Sequence, residues 1–503
     1  MRLRYLSYAL SAATLCATCA NAVSASDLSQ LTAHQAAAKI RSGEISSTEL
    51  TQALIGSAKQ QAYLNAFITL DEQAAMNAAR IADDARAAGN EIGPLHGVPL
   101  VVKDNIHVAG LPNTAGTPAL KNFIPATNAP VIDRLAAAGA IILGKTNMHE
   151  LAFGITSDNA AFGAVGNPYA PDHSAGGSSG GSGSAIAARM APAGLGTDTG
   201  GSVRIPAALN GIYSLRPSMG RYPSGGTTPI SHTRDTAGPM ARSIEDLILL
   251  DGVISGENKA LSAASLKGLR IGLPRAYFYH GLDVSLAEVM EASIEKLESA
   301  GVKFVSIDMP GVSELNAKIG MPIALYESVE DLSVYLEEHN TGTDFKSLAA
   351  ATSSPDVAGL FAALSVVDND KDGIPDARIP ESVYRDAIDT HRPALQKLFS
   401  DWYSDNKLDA MWVPTTTIPA QPTKQLAQHA LVNGKEAATF PTYIQNTGPD
   451  SNAGYPAINI PVGLSNNGLP VGAMLAGPNN SDRKLLSIAL SIEELFGALP
   501  APK

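Results

Sequence analysis

Apolar and polar positions along the chain follow two alternating periods. Short apolar runs at residues 98–102, 140–143 and 269–273 have the length of buried strands. Segments with apolar residues every three or four positions, at 129–138 and 286–300, predict amphipathic helices. This alternation predicts an α/β protein in which a large mixed, mostly parallel β-sheet is covered by helices on both faces.

The pattern changes on either side of this region. Residues 28–89 predict helices, and the stretch from about 311 to 398 predicts further helices without strong strands. Strand-like runs return after residue 400. We therefore predict a single domain over residues 23–503, with its core at about 93–255 and 400–503 and a helical cap inserted at about 311–398.

Residues 1–22 have the composition of a secretory signal peptide. Arg2 and Arg4 precede a short apolar run, and a small-x-small cleavage site ends at Ala22, with a second at Ala25. The apolar run is too short to span a bilayer. We expect a secreted or periplasmic protein that does not stay inserted in a membrane after the signal is cleaved.

Composition narrows the chemistry. The chain has 503 residues, of which 45% are hydrophobic and 17% charged, as in a globular protein with a large core. Its net charge of −12 argues against nucleic-acid binding. Both cysteines, Cys16 and Cys19, lie in the predicted signal, so the mature chain has no thiolate for catalysis or metal binding. A nucleophile would therefore be a serine.

Residues 174–206 are rich in glycine and serine. A flexible linker does not fit, because an apolar helix pattern near 184–190 follows the first glycine run. A phosphate loop would end in Gly-Lys-Ser/Thr, and this stretch contains no lysine. The Gly-x-Ser-x-Gly frames around Ser178 and Ser179 lack the strand that precedes a hydrolase nucleophile elbow, because prolines interrupt residues 167–173.

These motifs carry a family resemblance. The runs GGSSGGS at 176–182 and GLGTDTGGSVRIP at 194–206 resemble the signature of the amidase-signature hydrolases. GPLHGVPLVVKDN at 93–105 resembles the segment that holds the family's lysine, and LGKTNMHE at 143–150 and the glycine- and proline-rich segment 454–472 also fit. The resemblance covers residues 27–497 and places the catalytic part in the predicted core.

The resemblance implies a Ser–cis-Ser–Lys arrangement of Ser202, Ser178 and Lys103, with a cis peptide bond before Ser178. It implies an oxyanion hole from the backbone of Thr199, Gly200, Gly201 and Ser202. Supporting roles fall to Ser179, Asp198 and Arg204. It implies neither a cofactor nor a catalytic metal.

The chemistry of such a site can be argued from the residues. Lys103 follows an apolar run, and burial there would lower its pKa below the usual value of about 10.4. The neutral amine would take the proton of Ser202 through Ser178 and return it to the leaving nitrogen. The alternatives are a surface lysine beside Asp104, or a serine–histidine pair using one of the histidines near the motifs, His96, His149, His173 and His232.

An acidic segment offers a separate metal-binding hypothesis. Its side chains are spaced as in the first part of a calcium loop, but position 12 is Ile379 instead of glutamate. Two interpretations stay open: a solvated acidic turn, which we favour, or a structural calcium site formed by Asp368, Asp370, Asp372 and Asp376.

Together these observations predict an exported amidase that hydrolyses a carboxylic amide to an acid plus ammonia or an amine through an acyl-serine. The expected substrate is a small aryl or alkyl amide. The run at 146–157 is similar to hydrolases of small aryl-acetamides, of the mandelamide and indoleacetamide type. Two alternatives remain: an enzyme like the A subunit of glutamine amidotransferases, and a non-catalytic binding protein on the same scaffold. The expected partner is a small amide substrate, and a homodimer is compatible with the sequence.

Overall fold

The computed structural model describes residues 25–366 and 378–502. The predicted signal peptide at 1–22 therefore lies outside the described residues. The same holds for the acidic segment predicted as a turn or a calcium site, with Asp368, Asp370, Asp372 and Asp376.

Eleven strands of the described chain form one sheet, and four more form two separate hairpins. The strands are β1 (Phe67–Leu70), β2 (Pro99–Lys103), β3 (Ile141–Thr146), β4 (Gly166–Asn167), β5 (Ala170–Ser174), β6 (Ala193–Asp198), β7 (Tyr213–Arg216), β8 (Thr236–Ala241), β9 (Arg270–Leu273), β10 (Lys303–Ser306), β11 (Ala410–Pro414), β12 (Ala430–Val432), β13 (Lys435–Ala437), β14 (Ala457–Leu464) and β15 (Pro470–Ala476). The order in the sheet is β1-β3-β2-β6-β8-β7-β14-β15-β11-β9-β10.

The sheet is mixed, as predicted, but the prediction that it is mostly parallel is wrong. Parallel pairing occurs in two blocks, β3-β2-β6 and β11-β9-β10, where helices connect successive strands. The strands between these blocks pair antiparallel, as does β1 with β3 at the edge. A short turn joins β14 to β15, and a connection of that length allows only antiparallel pairing.

Helices cover the sheet and form the cap. They are α1 (Ala25–Gln30), α2 (Ala33–Ser42), α3 (Ser47–Gln60), α4 (Glu72–Ala87), α5 (Pro130–Ala137), α6 (Gly180–Ala187), α7 (Arg204–Asn210), α8 (Ile244–Ser255), α9 (Arg275–Phe278), α10 (Val284–Ser299), α11 (Val312–Glu338), α12 (Phe345–Ala351), α13 (Pro355–Val366), α14 (Glu381–Asp386), α15 (Arg392–Asp405), α16 (Thr423–Leu426), α17 (Thr439–Ile444), α18 (Gly448–Ala453) and α19 (Asp482–Phe496). Within the described ranges, none of these helices has the length and apolar character needed to cross a membrane.

Two sequence-based expectations about helices meet different outcomes. Residues 311–398 are helical wherever the structure describes them as regular, and they pack on the sheet through an apolar cluster that joins α11 and α15 to β11. Residues 28–89, predicted as helices alone, also contain β1, which pairs with β3. The four-residue run Phe-Ile-Thr-Leu is too short to interrupt a helical pattern visibly, and its pairing partner lies far along the chain.

Candidate active site

The site lies where two parallel neighbours end. Strands β2 and β6 pair in register through Val101 and Val102, so their carboxyl ends meet at one edge of the sheet. Lys103 is the last residue of β2 and Asp198 the last of β6. Lys103 Nζ crosses between the strands and donates a hydrogen bond to Thr197 Oγ1 at 2.7 Å.

Lys103 is a buried amine. Its exposed fraction is 0%, which excludes the alternative of a surface lysine. Burial lowers the pKa of Lys103 to about 7, although the carboxylates of Asp198 and Asp235 act to raise it. The lowered pKa expected from the apolar run is therefore confirmed, and a sizeable fraction of the amine is neutral near pH 7. The neighbouring Asp104 instead pairs with Lys145, at 3.3 Å between Nζ and Oδ1.

Ser178 is held by hydrogen bonds to its hydroxyl and to its carbonyl. Lys103 Nζ donates to Ser178 Oγ at 2.7 Å, and the Gly177–Ser178 peptide bond is cis, as the resemblance implied. The Ser178 carbonyl accepts the His149 N–H at 3.1 Å and the Ser157 hydroxyl at 3.4 Å. These contacts fix the hydroxyl of Ser178 beside the lysine amine.

Ser202 lies next to this pair in the fold. The Ser179 N–H donates to the Ser202 carbonyl at 3.2 Å, which joins the two serine loops, and the Ser179 hydroxyl donates to the Thr197 carbonyl at 3.3 Å. Ser202 is 7% exposed. Within residues 25–366 and 378–502 its hydroxyl has no hydrogen-bond partner, so the contact from Ser178 to Ser202 is not made in this state.

The turn from Thr199 to Ser202 presents backbone N–H groups. Those of Thr199, Gly200 and Ser202 have no acceptor among the described residues. The Gly201 N–H instead donates to Asp198 Oδ1 at 2.8 Å, which corrects the prediction that Gly201 is an oxyanion donor. Gly201 has a φ of 139°, and a β-carbon there would lie 2.2 Å from Thr447 Oγ1, so only glycine fits.

Asp198 organises the charges behind the turn. Its buried carboxylate accepts Arg204 Nε and a second Arg204 nitrogen, both at 3.0 Å, and one Arg216 nitrogen at 2.8 Å. Burial alone would raise the pKa of Asp198, but the two guanidinium groups outweigh it and hold that pKa well below its usual range. Asp198 and Arg204 therefore support the turn. Because the Asp198 carboxylate stays ionised and paired with guanidinium groups, it is not suited to transfer protons.

A second buried carboxylate, that of Asp450, lies beside Arg204. Asp450 Oδ2 is 3.9 Å from an Arg204 nitrogen, and neither oxygen of Asp450 has a hydrogen-bond partner in the described structure. Burial raises the pKa of Asp450 to about 7, against the opposing effect of Arg204 and Arg216. The pKa of Asp450 therefore lies in the same range as that of Lys103.

The histidine alternative finds no support in the geometry. In the part of the chain that the structure describes, no histidine ring forms a hydrogen bond with Lys103, Ser178 or Ser202. The rings bind other groups: His96 the Ala82 carbonyl, His149 the Asp356 carboxylate, His173 Asp172 and His232 Asp331.

Sequence reasoning missed several residues that shape the site. Thr197 accepts the Lys103 amine and lies inside the Gly-Thr-Asp-Thr motif, so alternation along β6 could have indicated it. Thr447 donates to the Gly200 carbonyl at 2.7 Å, and Arg234 donates to the Thr199 carbonyl at 3.1 Å. These two come from distant segments, and no spacing rule connects them to the motif.

Comparison with known proteins shows the family of this chain and agrees with its fold. A family model described as Amidase matches residues 49–486, and the chain belongs to the amidase-signature family of amide hydrolases. It is 43% identical to mandelamide hydrolase of Pseudomonas putida, over 94% of this chain and 93% of the relative. It is 40% identical to indoleacetamide hydrolase of Rhizobium radiobacter, over 90% and 94%. A solved structure described as an amidase has a TM-score of 0.80 at 31% identity, and the match covers 93% of this chain and 100% of that one.

Proposed function

We propose that the protein is an exported amidase that hydrolyses small aryl-acetamides through an acyl-Ser202 intermediate. The observation that carries this proposal is the buried Lys103 amine, whose pKa is about 7 and which contacts Ser178 Oγ at 2.7 Å. A group that is half neutral near physiological pH is matched to taking and returning a proton.

In the proposed acylation, neutral Lys103 accepts a proton from Ser178 as Ser178 accepts the proton of Ser202. Ser202 Oγ attacks the amide carbon, and the carbonyl oxygen gains a negative charge. The unpaired N–H groups of the turn stabilise this oxyanion, which is the largest single contribution in many acyl-transfer enzymes. Small adjustments of the Ser202 side chain on substrate binding would complete the contact with Ser178.

Collapse of the tetrahedral intermediate requires protonation of the nitrogen, because an amide anion is a poor leaving group. The proton on Lys103 returns through Ser178 to the leaving nitrogen, which departs as ammonia from a primary amide. Water then loses a proton to Lys103 through Ser178 and attacks the acyl-Ser202 ester. The relay returns that proton to Ser202 Oγ as the ester bond breaks, which releases the acid and restores the serine hydroxyl.

The preference for an aryl group rests on the relatives and on an apolar contact. The names of the two relatives describe hydrolases of mandelamide and indoleacetamide, each a primary amide with an aryl-bearing acyl group. In this chain the half-buried Ile444 lies over the turn, since a β-carbon on Gly200 would be 2.9 Å from Ile444 Cδ1. An apolar side chain in that place favours an apolar acyl group over glutamine.

Two measurements test the proposal. Ammonia release is measured with mandelamide, phenylacetamide, indoleacetamide, a linear alkyl amide and glutamine, for the parent and for Ser202→Ala. Separately, peptide mass spectrometry after treatment with a fluorophosphonate locates the modified residue. We expect turnover of the aryl amides, none by Ser202→Ala, and an adduct on Ser202.

Turnover of glutamine alone would favour the amidotransferase-like alternative, and amide binding without turnover or adduct would favour the binding protein. Export is tested by expression of the full chain in a Gram-negative host, followed by fractionation and N-terminal sequencing. We expect a periplasmic protein that begins after Ala22 or Ala25. A protein that stays in the cytoplasm with residues 1–22 intact would contradict this part of the proposal.

A further inference from the structure

The orientation of one peptide group decides whether the turn can bind an oxyanion. The Thr199–Gly200 peptide bond is trans, because Gly177–Ser178 is the cis bond found in the described chain. In a trans peptide the C=O and the N–H point in opposite directions. Whatever holds the Thr199 carbonyl therefore also aims the Gly200 N–H, which has no acceptor of its own among the described residues.

Arg234 holds that carbonyl. Its guanidinium is buried, with 4% of the residue exposed, and donates to the Thr199 carbonyl at 3.1 Å. The other terminal nitrogen donates to the Gly320 carbonyl of cap helix α11 at 2.7 Å. A planar guanidinium directs both bonds at fixed angles, so it sets the turn and the cap helix relative to each other. The Thr199 hydroxyl is anchored in the same region by Asp235 Oδ1, at 2.5 Å.

We propose that Arg234 is a positioning residue for the amidase reaction: by holding the Thr199 carbonyl, it aims the Gly200 N–H at the oxyanion and makes that alignment depend on the docked cap. The inference rests on the proposed function. The next peptide group is oriented in the same way but away from the oxyanion. Thr447 holds the Gly200 carbonyl, and the Gly201 N–H is directed to Asp198.

A purely structural role for Arg234 would be to attach the cap, and the cap has other attachments to the same loop. The buried Glu327 of α11 accepts the N–H and the hydroxyl of Thr233, at 3.3 Å and 3.0 Å. Arg392 of α15 donates to the Thr233 carbonyl at 2.8 Å. Arg392 thus contacts the loop beside Arg234 without contacting the turn, which makes it the matched control.

The test compares Arg234→Gln and Arg234→Lys with Arg392→Gln. Steady-state kinetics use phenylacetamide, and inhibition is measured with phenylacetaldehyde, which forms a tetrahedral adduct with the serine, and with the product phenylacetic acid, which does not. We expect Arg234→Gln to lower kcat by about tenfold or more with KM changed less than about twofold. The affinity for the aldehyde should fall by a similar factor while the affinity for the acid is kept.

Arg234→Lys keeps a buried cation that can reach one of the two carbonyls, so we expect a folded enzyme with an intermediate kcat. Arg392→Gln should leave kcat and aldehyde affinity within about twofold of the parent. Equal losses of aldehyde and acid affinity, or equal effects of Arg392→Gln and Arg234→Gln, would overturn the inference in favour of cap attachment. Parent-like kcat in both Arg234 variants would also overturn it. A parent enzyme without amidase activity would overturn the proposed function itself.

Discussion

Lowering the pH should switch off the enzyme through Lys103. The base must be neutral, and its pKa of about 7 means that kcat/KM for an amide should be level above about pH 8 and half-maximal near 7. Below pH 7, each decrease of one pH unit should lower kcat/KM by about tenfold, so that about 1% of the maximal value remains at about pH 5. The assay is initial-rate ammonia release from phenylacetamide across about pH 5–9, with the fold checked by circular dichroism at each pH.

Asp450 is the competing explanation, because its pKa is also about 7 and it lies beside Arg204. The variant Asp450→Asn removes its titration and leaves Lys103 unchanged. We expect the acid limb of this variant to keep its midpoint within about 0.3 units of the parent's. A profile that is flat from about pH 5 to 9, or an acid limb that disappears in Asp450→Asn, would refute the assignment to Lys103.

Three further predictions concern stability. The pKa of Lys103 is about 7 in the native state and about 10.5 in the unfolded chain, so between these pH values only the unfolded chain holds the proton. The parent's free energy of unfolding should therefore rise by about 1.4 kcal/mol per pH unit relative to that of Lys103→Met. Urea unfolding at several pH values measures this difference. Gly181→Ala places a β-carbon 2.3 Å from the Asn147 carbonyl oxygen and should destabilise the fold by at least about 2 kcal/mol, whereas Gly359→Ala, in open space on a helix, should stabilise it slightly; thermal unfolding compares them. Asp198→Ala leaves two buried guanidinium groups without their carboxylate and should cost about 3–5 kcal/mol, and a urea midpoint equal to the parent's would contradict that ion-pair account.

Much of the fold could be predicted from local pattern. The strands β2, β3 and β9 and the helices α5 and α10 fall within a few residues of their predicted positions, since each is a single apolar run or a clear helical period. Helix α6 differs, because it begins at Gly180 and not near 184. Glycine is a weak helix former, but the close approach of the Asn147 backbone to Gly181 requires it there, and that contact is tertiary.

The catalytic residues of the candidate site could be predicted from the sequence motifs, but the hydrogen bonds that orient the backbone of the turn could not. The family resemblance implied that Lys103 acts with Ser178 and that Asp198 and Arg204 support the site, and the structure has a hydrogen bond within each pair. The direction of each N–H in the turn could not be predicted, because it depends on which group binds each carbonyl. Arg234 and Thr447 perform that role from separate segments, and only the folded sheet brings them to the turn.

The proposed reaction depends on the Lys103 amine, which moves the proton that makes Ser202 a nucleophile. Its most direct test is the kcat of Lys103→Ala for phenylacetamide at saturating substrate and about pH 8, with folding verified by thermal unfolding. Loss of a general base predicts a fall of about 10²- to 10⁴-fold. Turnover by the folded variant at the parent's rate would show that Lys103 is not the base.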